Sequence, residues 1–370
     1  MEDFPSYDFP VFPMKIKSYR GEYEVVFTND FVNCLNEEIQ EKDIFLVDEQ
    51  VDRIYADRLA DFRHSHSFIV LPSGEKTKSF EAAGDLIDKL MQMNFRRNHR
   101  LVAVGGGIVQ DAVAFVASIL FRGVDWNFVP TTLLSQGDSC IGSKTSVNFG
   151  DCKNLLGGFH PPSKVFIDPG FLSSLDEREI RSGLGEMLHF FMISGSEDVA
   201  FFRKNFRKCL TEPLQTNVLT RRSLELKKAT IEIDEFDQGP RKIFNYGHTF
   251  GHALEGVTDY TIPHGLAVCY GMDLANHVSV HLGFLDLSVC LQCREFLAEV
   301  WQGFEFPTIQ TCQYLKLLTK DKKNVGNKLN LILTRGLGDM FMFQVELDEA
   351  LVEVIEQCLK SYSLENLCSK

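Results

Sequence analysis

Three groups of residues in this chain have types and spacings that could carry chemistry. The first combines Glu186 with three imidazoles inside seventeen residues. His248 and His252 lie in Asn245-Tyr246-Gly247-His248-Thr249-Phe250-Gly251-His252, and His264 follows in Ile262-Pro263-His264-Gly265. Residues four apart on a helix share a face, and a carboxylate with two or three imidazoles suits Zn²⁺ or a similar divalent ion. The spacing lacks the glutamate of H-E-x-x-H, which excludes that metalloprotease signature. A lone histidine is more often a satisfied structural residue. Three so close together, each beside a glycine, form a stronger pattern.

The second group is Gly105-Gly106-Gly107-Ile108-Val109-Gln110-Asp111. A glycine turn between strand and helix lets backbone N–H groups approach a phosphate at the helix N-terminus, although three glycines also make an ordinary tight turn. Asp48, at the end of an earlier strand, could bind a ribose hydroxyl or simply cap the next helix. The third group is the hydroxyl-rich run Pro130-Thr131-Thr132-Leu133-Leu134-Ser135-Gln136-Gly137-Asp138, followed by Gly142-Ser143-Lys144-Thr145 and Lys153-Asn154. Small neighbours leave room for a ligand, and lysines supply point charges for an anion; the bland alternative is a solvated surface lysine. Of ten cysteines only Cys290 and Cys293 form a CxxC, with no second pair beside it, and they read as a reduced helix-face pair.

Elements must hold these groups in place. Asp43–Asp48, Phe68–Leu71, Leu101–Val104 and Trp126–Pro130 read as strands, and Phe80–Met93 and Ile108–Phe121 as helices. Such alternation predicts an α/β, Rossmann-like domain with a parallel sheet over residues 1–175. From 176 to 370 the pattern turns mainly helical: 177–192, 219–233, 248–254, 264–282, 289–301 and 348–362, with short strands at 329–333 and 341–343. The boundary is a change of pattern, not a flexible tether.

A chain of 370 residues can bury two cores. Its 44% hydrophobic and 24% charged residues are ordinary for a soluble globular protein. No apolar run is long enough to span a bilayer, and the acidic start Met1-Glu2-Asp3-Phe4 lacks the features of a signal peptide, so a cytoplasmic location is expected. A net charge of −13 argues against a nucleic-acid or anionic-membrane surface. A phosphate ligand would need a local basic pocket.

Taken together, the stretch from about Glu75 to Gly271 resembles the sugar-phosphate cyclase superfamily, and within it the dehydroquinate synthases. The resemblance rests on Pro72-Ser73-Gly74-Glu75 with Lys78, the triple glycine with Asp111, Phe121-Arg122-Gly123, Pro130 through Lys144, Lys153-Asn154, Ser182-Gly183-Leu184-Gly185-Glu186, Asp234-Glu235 to Arg241, Asn245 to Glu255, His264-Gly265 and Asp321-Lys322-Lys323. It implies Glu186, His248 and His264 as ligands of a divalent metal (Zn or Co). It implies Asp48, Glu75, Lys78, Gly105, Gly106, Asp111, Thr131, Thr132, Lys153 and Ser174 as contacts of NAD. It implies Asp138, Lys144, Asn154, Lys227, Arg241, Asn245, His252 and Lys322 around a small sugar-phosphate substrate, with Arg122 reaching the phosphate from the partner of a homodimer.

The implied reaction is the shikimate-pathway conversion of 3-deoxy-arabino-heptulosonate 7-phosphate to 3-dehydroquinate. The metal acidifies a hydroxyl, NAD⁺ takes a hydride and later returns it, phosphate leaves by β-elimination, and an aldol step closes the ring. Lys227 and Arg241 would hold the carboxylate, which Arg can grip bidentately. A substrate without one would leave both charges unpaired, at a cost of about 1–3 kcal/mol. Four residues depart from the dehydroquinate synthase pattern: His189 replaces a lysine, Asp237 a glutamate, and Gln110 and Ser143 glycines. His189 and Asp237 favour the alternative of a specialised cyclase of secondary metabolism, acting on a modified heptulosonate or on sedoheptulose 7-phosphate to give a valiolone-type product. A metal-dependent alcohol dehydrogenase of the same broad fold would not need Lys144, Lys153 and Arg241, and a binding or regulatory homologue would not need the metal and NAD residues.

Overall fold

A computed structural model describes residues 13–150, 152–319 and 328–368, with the side chains of 213 and 364–368 excepted. The chain forms two compact units. One comprises residues up to 131 together with 140–171, and the other comprises 132–139 together with 172 onward.

The first unit is built on a seven-stranded sheet. In chain order its elements are β1 (Met14–Ser18), β2 (Gly21–Phe27), α1 (Phe31–Glu38), β3 (Ile44–Asp48), α2 (Glu49–Ile54), α3 (Ala56–Ser65), β4 (Ser67–Leu71), α4 (Phe80–Gln92), β5 (Leu101–Gly105), α5 (Gly107–Ile119), β6 (Trp126–Pro130), β7 (Lys144–Phe149), β8 (Cys152–Phe159) and β9 (Lys164–Ile167). The strand order is β1-β2-β9-β6-β5-β3-β4, with β1–β2 antiparallel and every other pair parallel. Leu101, Val102, Ala103 and Val104 of the inner strand β5 are all fully buried. Both faces of the strand are therefore covered, which is why it reads as an unbroken apolar run.

Three features of this unit escape the periodicity reading. The β1–β2 hairpin and the four-residue β9 extend the sheet on one side. β7 and β8 form a separate antiparallel ribbon where the sequence suggested ligand-binding turns. Most of β8 is solvent-exposed, so it carries no apolar signal.

The second unit contains α6 (Glu177–Ser194), α7 (Ser196–Thr211), α8 (Thr216–Ile231), α9 (His248–Val257), α10 (His264–His281), α11 (Leu287–Trp301), α12 (Thr311–Thr319), the hairpin β10 (Lys328–Thr334) and β11 (Met340–Glu346), and α13 (Glu349–Cys368). Its core is continuous across these helices, with Leu184, Leu188, Leu266, Leu274 and Leu297 all fully buried. Cys290 and Cys293 of α11 are both buried, and burial pushes both thiols up to about 12. Such thiols are poor nucleophiles. Among the described residues no helix is long and apolar enough to cross a membrane.

Glycines set the spacing of α6, α9 and α10. A Cβ on Gly185 of α6 would lie 2.5 Å from the carbonyl oxygen of Gly265 on α10, and one on Gly265 would overlap the carbonyl oxygen of Ser182. One on Gly271 of α10 would overlap the carbonyl oxygen of Gly247, just before α9. The obstacles are backbone atoms, so a side chain could fit only by parting the helices. Ser182 also contributes a hydroxyl that accepts the Gly265 N–H at 3.1 Å. That bond satisfies one of the amides that a helix start leaves open.

Gly265→Ala and Gly271→Ala should therefore each destabilise the chain by roughly 1–3 kcal/mol, the usual cost of overpacking. Gly84→Ala, on α4 with open space at the Cβ position, is the control. Equal urea midpoints for all three variants would remove the close-approach argument.

Candidate functional site

The glycine-spaced helices carry the metal-ligand types. Glu186 lies midway along α6, His248 opens α9 and His264 opens α10. His248 Nε2 is 3.4 Å from Glu186 Oε1, and His264 Nε2 is 3.5 Å from Glu186 Oε2. One ligand atom from each residue lies within 4.8 Å of the others. Glu186 is buried, and its Oε2 has no hydrogen-bond partner. Burial would raise its carboxyl, but His248 and His264 outweigh burial and hold it well below the usual carboxylate range. His264 is lowered by burial and raised more strongly by Glu255 and Glu186, to about 9. A buried carboxylate facing two imidazoles, with an oxygen left over, fits a divalent cation with three protein ligands and a further open position. His248 Nδ1 lies 3.3 Å from the carbonyl of Tyr246. An Nδ1–H donated there would leave the Nε2 lone pair for a cation held between it and Glu186.

A second layer of polar groups adjoins this cluster. His189, one turn after Glu186 on α6, is fully buried, and neither ring nitrogen makes a well-formed hydrogen bond among the described residues, although the Phe244 backbone interacts with the ring. Its ring stands edge-on to His248 at 5.2 Å between centroids, and to Phe190 and Phe244. Burial, reinforced by His248, pushes it down to about 3, so it is neutral at pH 7. Lys227 of α8 is also buried, and its ammonium donates to Asp138 Oδ1 and to the Asp138 carbonyl, both at 2.7 Å. An ammonium has three N–H groups, so one remains for a ligand.

Asp138 itself sits on a single π-turn, Ser135–Ser139, held from two sides. Ser223 Oγ of α8 donates to the Gly137 carbonyl at 2.8 Å, and a Cβ on Gly137 would overlap the Met187 side chain of α6. Arg241 is buried, its backbone N–H donates to Asp234 Oδ2 at 3.1 Å, and its guanidinium donates to the Glu235 carbonyl. Asp237 has a left-handed backbone (φ 57°), and Asn245 donates to the Lys242 carbonyl at 3.0 Å. His252 is exposed, its ring stacked 5.8 Å from that of His264. Lys322 lies outside the described residues.

In the sheet unit, the glycine turn runs from the end of β5 into α5. Gly106 is the N-cap residue, and no side chain caps the helix. The first N–H groups of α5 therefore have no side-chain acceptor, the arrangement that receives an anion. Gly105 is required sterically, because a Cβ there would press on Val109 at 2.7 Å. Lys78 pairs with Asp111 at 2.5 Å, and burial nevertheless keeps the Asp111 carboxyl raised. Glu75 accepts from Asn148 Nδ2 at 2.8 Å and pairs with Lys153 at 3.5 Å.

Asp48 caps α2 through Oδ1, which accepts from Gln50 N at 2.8 Å and also from Ser73 Oγ at 2.9 Å. Thr131 donates its backbone N–H to Gly105, Thr132 caps the following turn with Ser135, and Ser174 is exposed. Lys144 opens β7 and Asn154 lies on β8, both exposed. Ser143 has φ 66°, and the turn bearing Arg122 runs through three left-handed residues, Phe121, Arg122 and Gly123. Sequence reasoning gave no role to Glu255, Asn148, Ser182 or Ser223. Glu255 was traceable: it lies three residues after His252 and seven after His248, on one face of a helix.

The family pattern described as 3-dehydroquinate synthase N-terminal matches residues 68–182, and the one described as 3-dehydroquinate synthase C-terminal matches 183–324. A 3-dehydroquinate synthase from Thermoanaerobacter sp. is 31% identical over 355 residues, covering 93% of this chain and 99% of that protein. Two solved structures share the fold. A 2-deoxy-scyllo-inosose synthase, in complex with carbaglucose-6-phosphate, NAD⁺ and Co²⁺, has a TM-score of 0.84 at 22% identity, covering 95% of this chain and all of that one. A 2-epi-5-epi-valiolone synthase from Streptomyces hygroscopicus, with NAD⁺ and Zn²⁺ bound, has a TM-score of 0.82 at 24% identity, covering 92% and 97%.

Two substitutions test the geometry. Glu186→Gln should weaken Zn²⁺ uptake by metal-free protein by more than about 100-fold, since it removes the anion that faces both imidazoles; competition with a chelator reads this directly. Lys227→Met should lower stability by about 2–3 kcal/mol by stranding Asp138, and Lys227→Met with Asp138→Asn should recover part of the loss. An additive double variant would refute the coupling.

Proposed function

The chain belongs to the 3-dehydroquinate synthase family, and on that premise we propose that it is an NAD- and divalent-metal-dependent cyclase that converts 3-deoxy-arabino-heptulosonate 7-phosphate to 3-dehydroquinate and inorganic phosphate. One observation carries the choice of substrate: Lys227 and Arg241 are both buried cations in the unit that holds Glu186, His248 and His264. Asp138 already pairs with Lys227, so the preference for a substrate carboxylate over a neutral heptulose rests on the third ammonium N–H and on the guanidinium charge beside it.

Glu186, His248 and His264 would hold the metal. Asp48, Glu75, Lys78, Gly105, Gly106, Asp111, Thr131, Thr132, Lys153 and Ser174 would hold NAD. When bound, the ion supplies a Lewis acid at a substrate hydroxyl and the nicotinamide a reversible hydride acceptor. The chain's own residues bind and orient the substrate. Lys227 keeps one N–H for the carboxylate while Asp138 fixes its ammonium, and Arg241 offers its guanidinium to the same group. Arg122, Lys144, Lys322, Asn245 and His252 would receive the phosphate, whose departure needs its charge balanced. Asn154 and Asp237 complete the polar shell. His189 is neutral at physiological pH, so a hydroxyl would meet one ring nitrogen as either donor or acceptor, where a lysine would offer donors alone. That difference favours a second reading, a cyclase for a modified heptulosonate or for sedoheptulose 7-phosphate.

A panel of heptulose phosphates assayed for phosphate release decides between these readings. Release from the heptulosonate phosphate, dependent on NAD⁺ and a divalent ion and without net NADH, is expected. Release from sedoheptulose 7-phosphate alone would overturn the leading substrate. NADH accumulating with a simple alcohol would identify a dehydrogenase. His189→Lys should raise kcat with the heptulosonate phosphate if the histidine is mere drift, and lower it if the histidine serves another hydroxyl pattern.

A further inference from the structure

We propose that Glu255 is a positioning residue for the ion: its carboxylate holds the His264 ring with the proton on Nδ1 and the Nε2 lone pair directed toward Glu186 and His248. The proposal rests on the reading of those three residues as the ion's ligands.

The geometry is a ring held between two carboxylates. His264 Nδ1 lies 3.2 Å from Glu255 Oε2, and Nε2 lies 3.5 Å from Glu186 Oε2. A neutral imidazole has one N–H and one lone pair. Glu255 can only accept, so the tautomer that suits it carries the proton on Nδ1. Without an ion either tautomer sets a lone pair against a carboxylate oxygen; a cation between Nε2 and Glu186 relieves that conflict only when the proton is on Nδ1. His248 is arranged alike, its Nδ1 facing the Tyr246 carbonyl. Each imidazole thus has an oxygen behind it, and a partner of this kind orients a ligand and raises its basicity.

His264 depends on its partner more than His248 does. Its side chain is 32% exposed against 13% for His248, so packing alone restrains it less. Glu255, at 14%, is the more enclosed member of the His264–Glu255 pair. It comes from α9, seven residues after His248. One helix therefore supplies a ligand and the brace for a ligand on α10. His252 lies close enough to Glu255 and His264 to compete for an ion of its own. On this inference Glu255 is instead committed to His264, and a single ion is bound.

The test needs no substrate. Metal-free protein is titrated with Zn²⁺ against a chromophoric chelator. Glu255→Ala should bind the ion about 10–100-fold more weakly than the parent, and Glu255→Gln, whose amide oxygen still accepts from Nδ1–H, should recover most of the loss. In the Zn²⁺-loaded parent, ¹⁵N spectra should show a slowly exchanging Nδ1 proton on His264, absent from Glu255→Ala. Parent-like affinity in Glu255→Ala overturns the inference. Loss of a second, weaker Zn²⁺ equivalent with the first unchanged overturns it too, because Glu255 would then be a ligand in its own right. A parent that takes up no Zn²⁺ overturns the ion site and this inference with it, whereas inactivity on every heptulose phosphate leaves the inference standing.

Discussion

The backbone of α10 approaches α6 at Gly185 and Gly265, and the start of α9 at Gly247 and Gly271, more closely than any side chain allows. Glu186, His248 and His264 are each the immediate chain neighbour of one of these contact glycines. The triangle of Glu186, His248 and His264 is thus a by-product of helix packing. Once the helices meet, the three side chains have little choice about where their tips lie, and the entropy of assembling a site is largely met by assembling the core. The electrostatic consequence follows from the same contact. Glu186 is buried at a position where only cations or protonated imidazoles can compensate it, and it lies well below its ordinary pKa as a result.

Around this rigid centre the polar shell is built by a different device. The 132–139 segment is gripped by α6 through Gly137 and Met187, and by α8 through Ser223 and Lys227. Asp138 is consequently fixed through a π-turn, a backbone form that recurs at functional sites. His189 stands apart from both devices: a fully buried ring whose nitrogens make no well-formed hydrogen bond among the described residues, beside the Phe244 backbone.

Much of this was legible in the chain. β3, β5 and β6 announce themselves as apolar runs, and Glu186 with the three glycine-flanked histidines stood out by type and spacing. What was hidden is what depends on distant pairing. β8 has too little buried surface to show an alternating pattern. The pairing of Lys227 with Asp138 joins residues 89 apart, and no local signal encodes it. Glu255 was read as part of a motif without a role, because its partner lies on another helix. Asp48 shows how a single residue supports two readings: it does cap α2, and through an oxygen that also receives Ser73.

The path of the backbone between the units bears on how the protein is made. The chain leaves the sheet unit at 131, returns at 140, and leaves again at 171. Every strand of the seven-stranded sheet has emerged by Ile167, so that unit can close while the helices are still being synthesised. The segment carrying Asp138 emerges with it, yet its partners on α8 are not made until residue 227. Domains generally fold as they are produced, from the N-terminus onward. Asp138 and Lys227 are 89 residues apart, so their contact forms only after α8 has been made, and the contacts of Glu186 with His248 and His264 form later still.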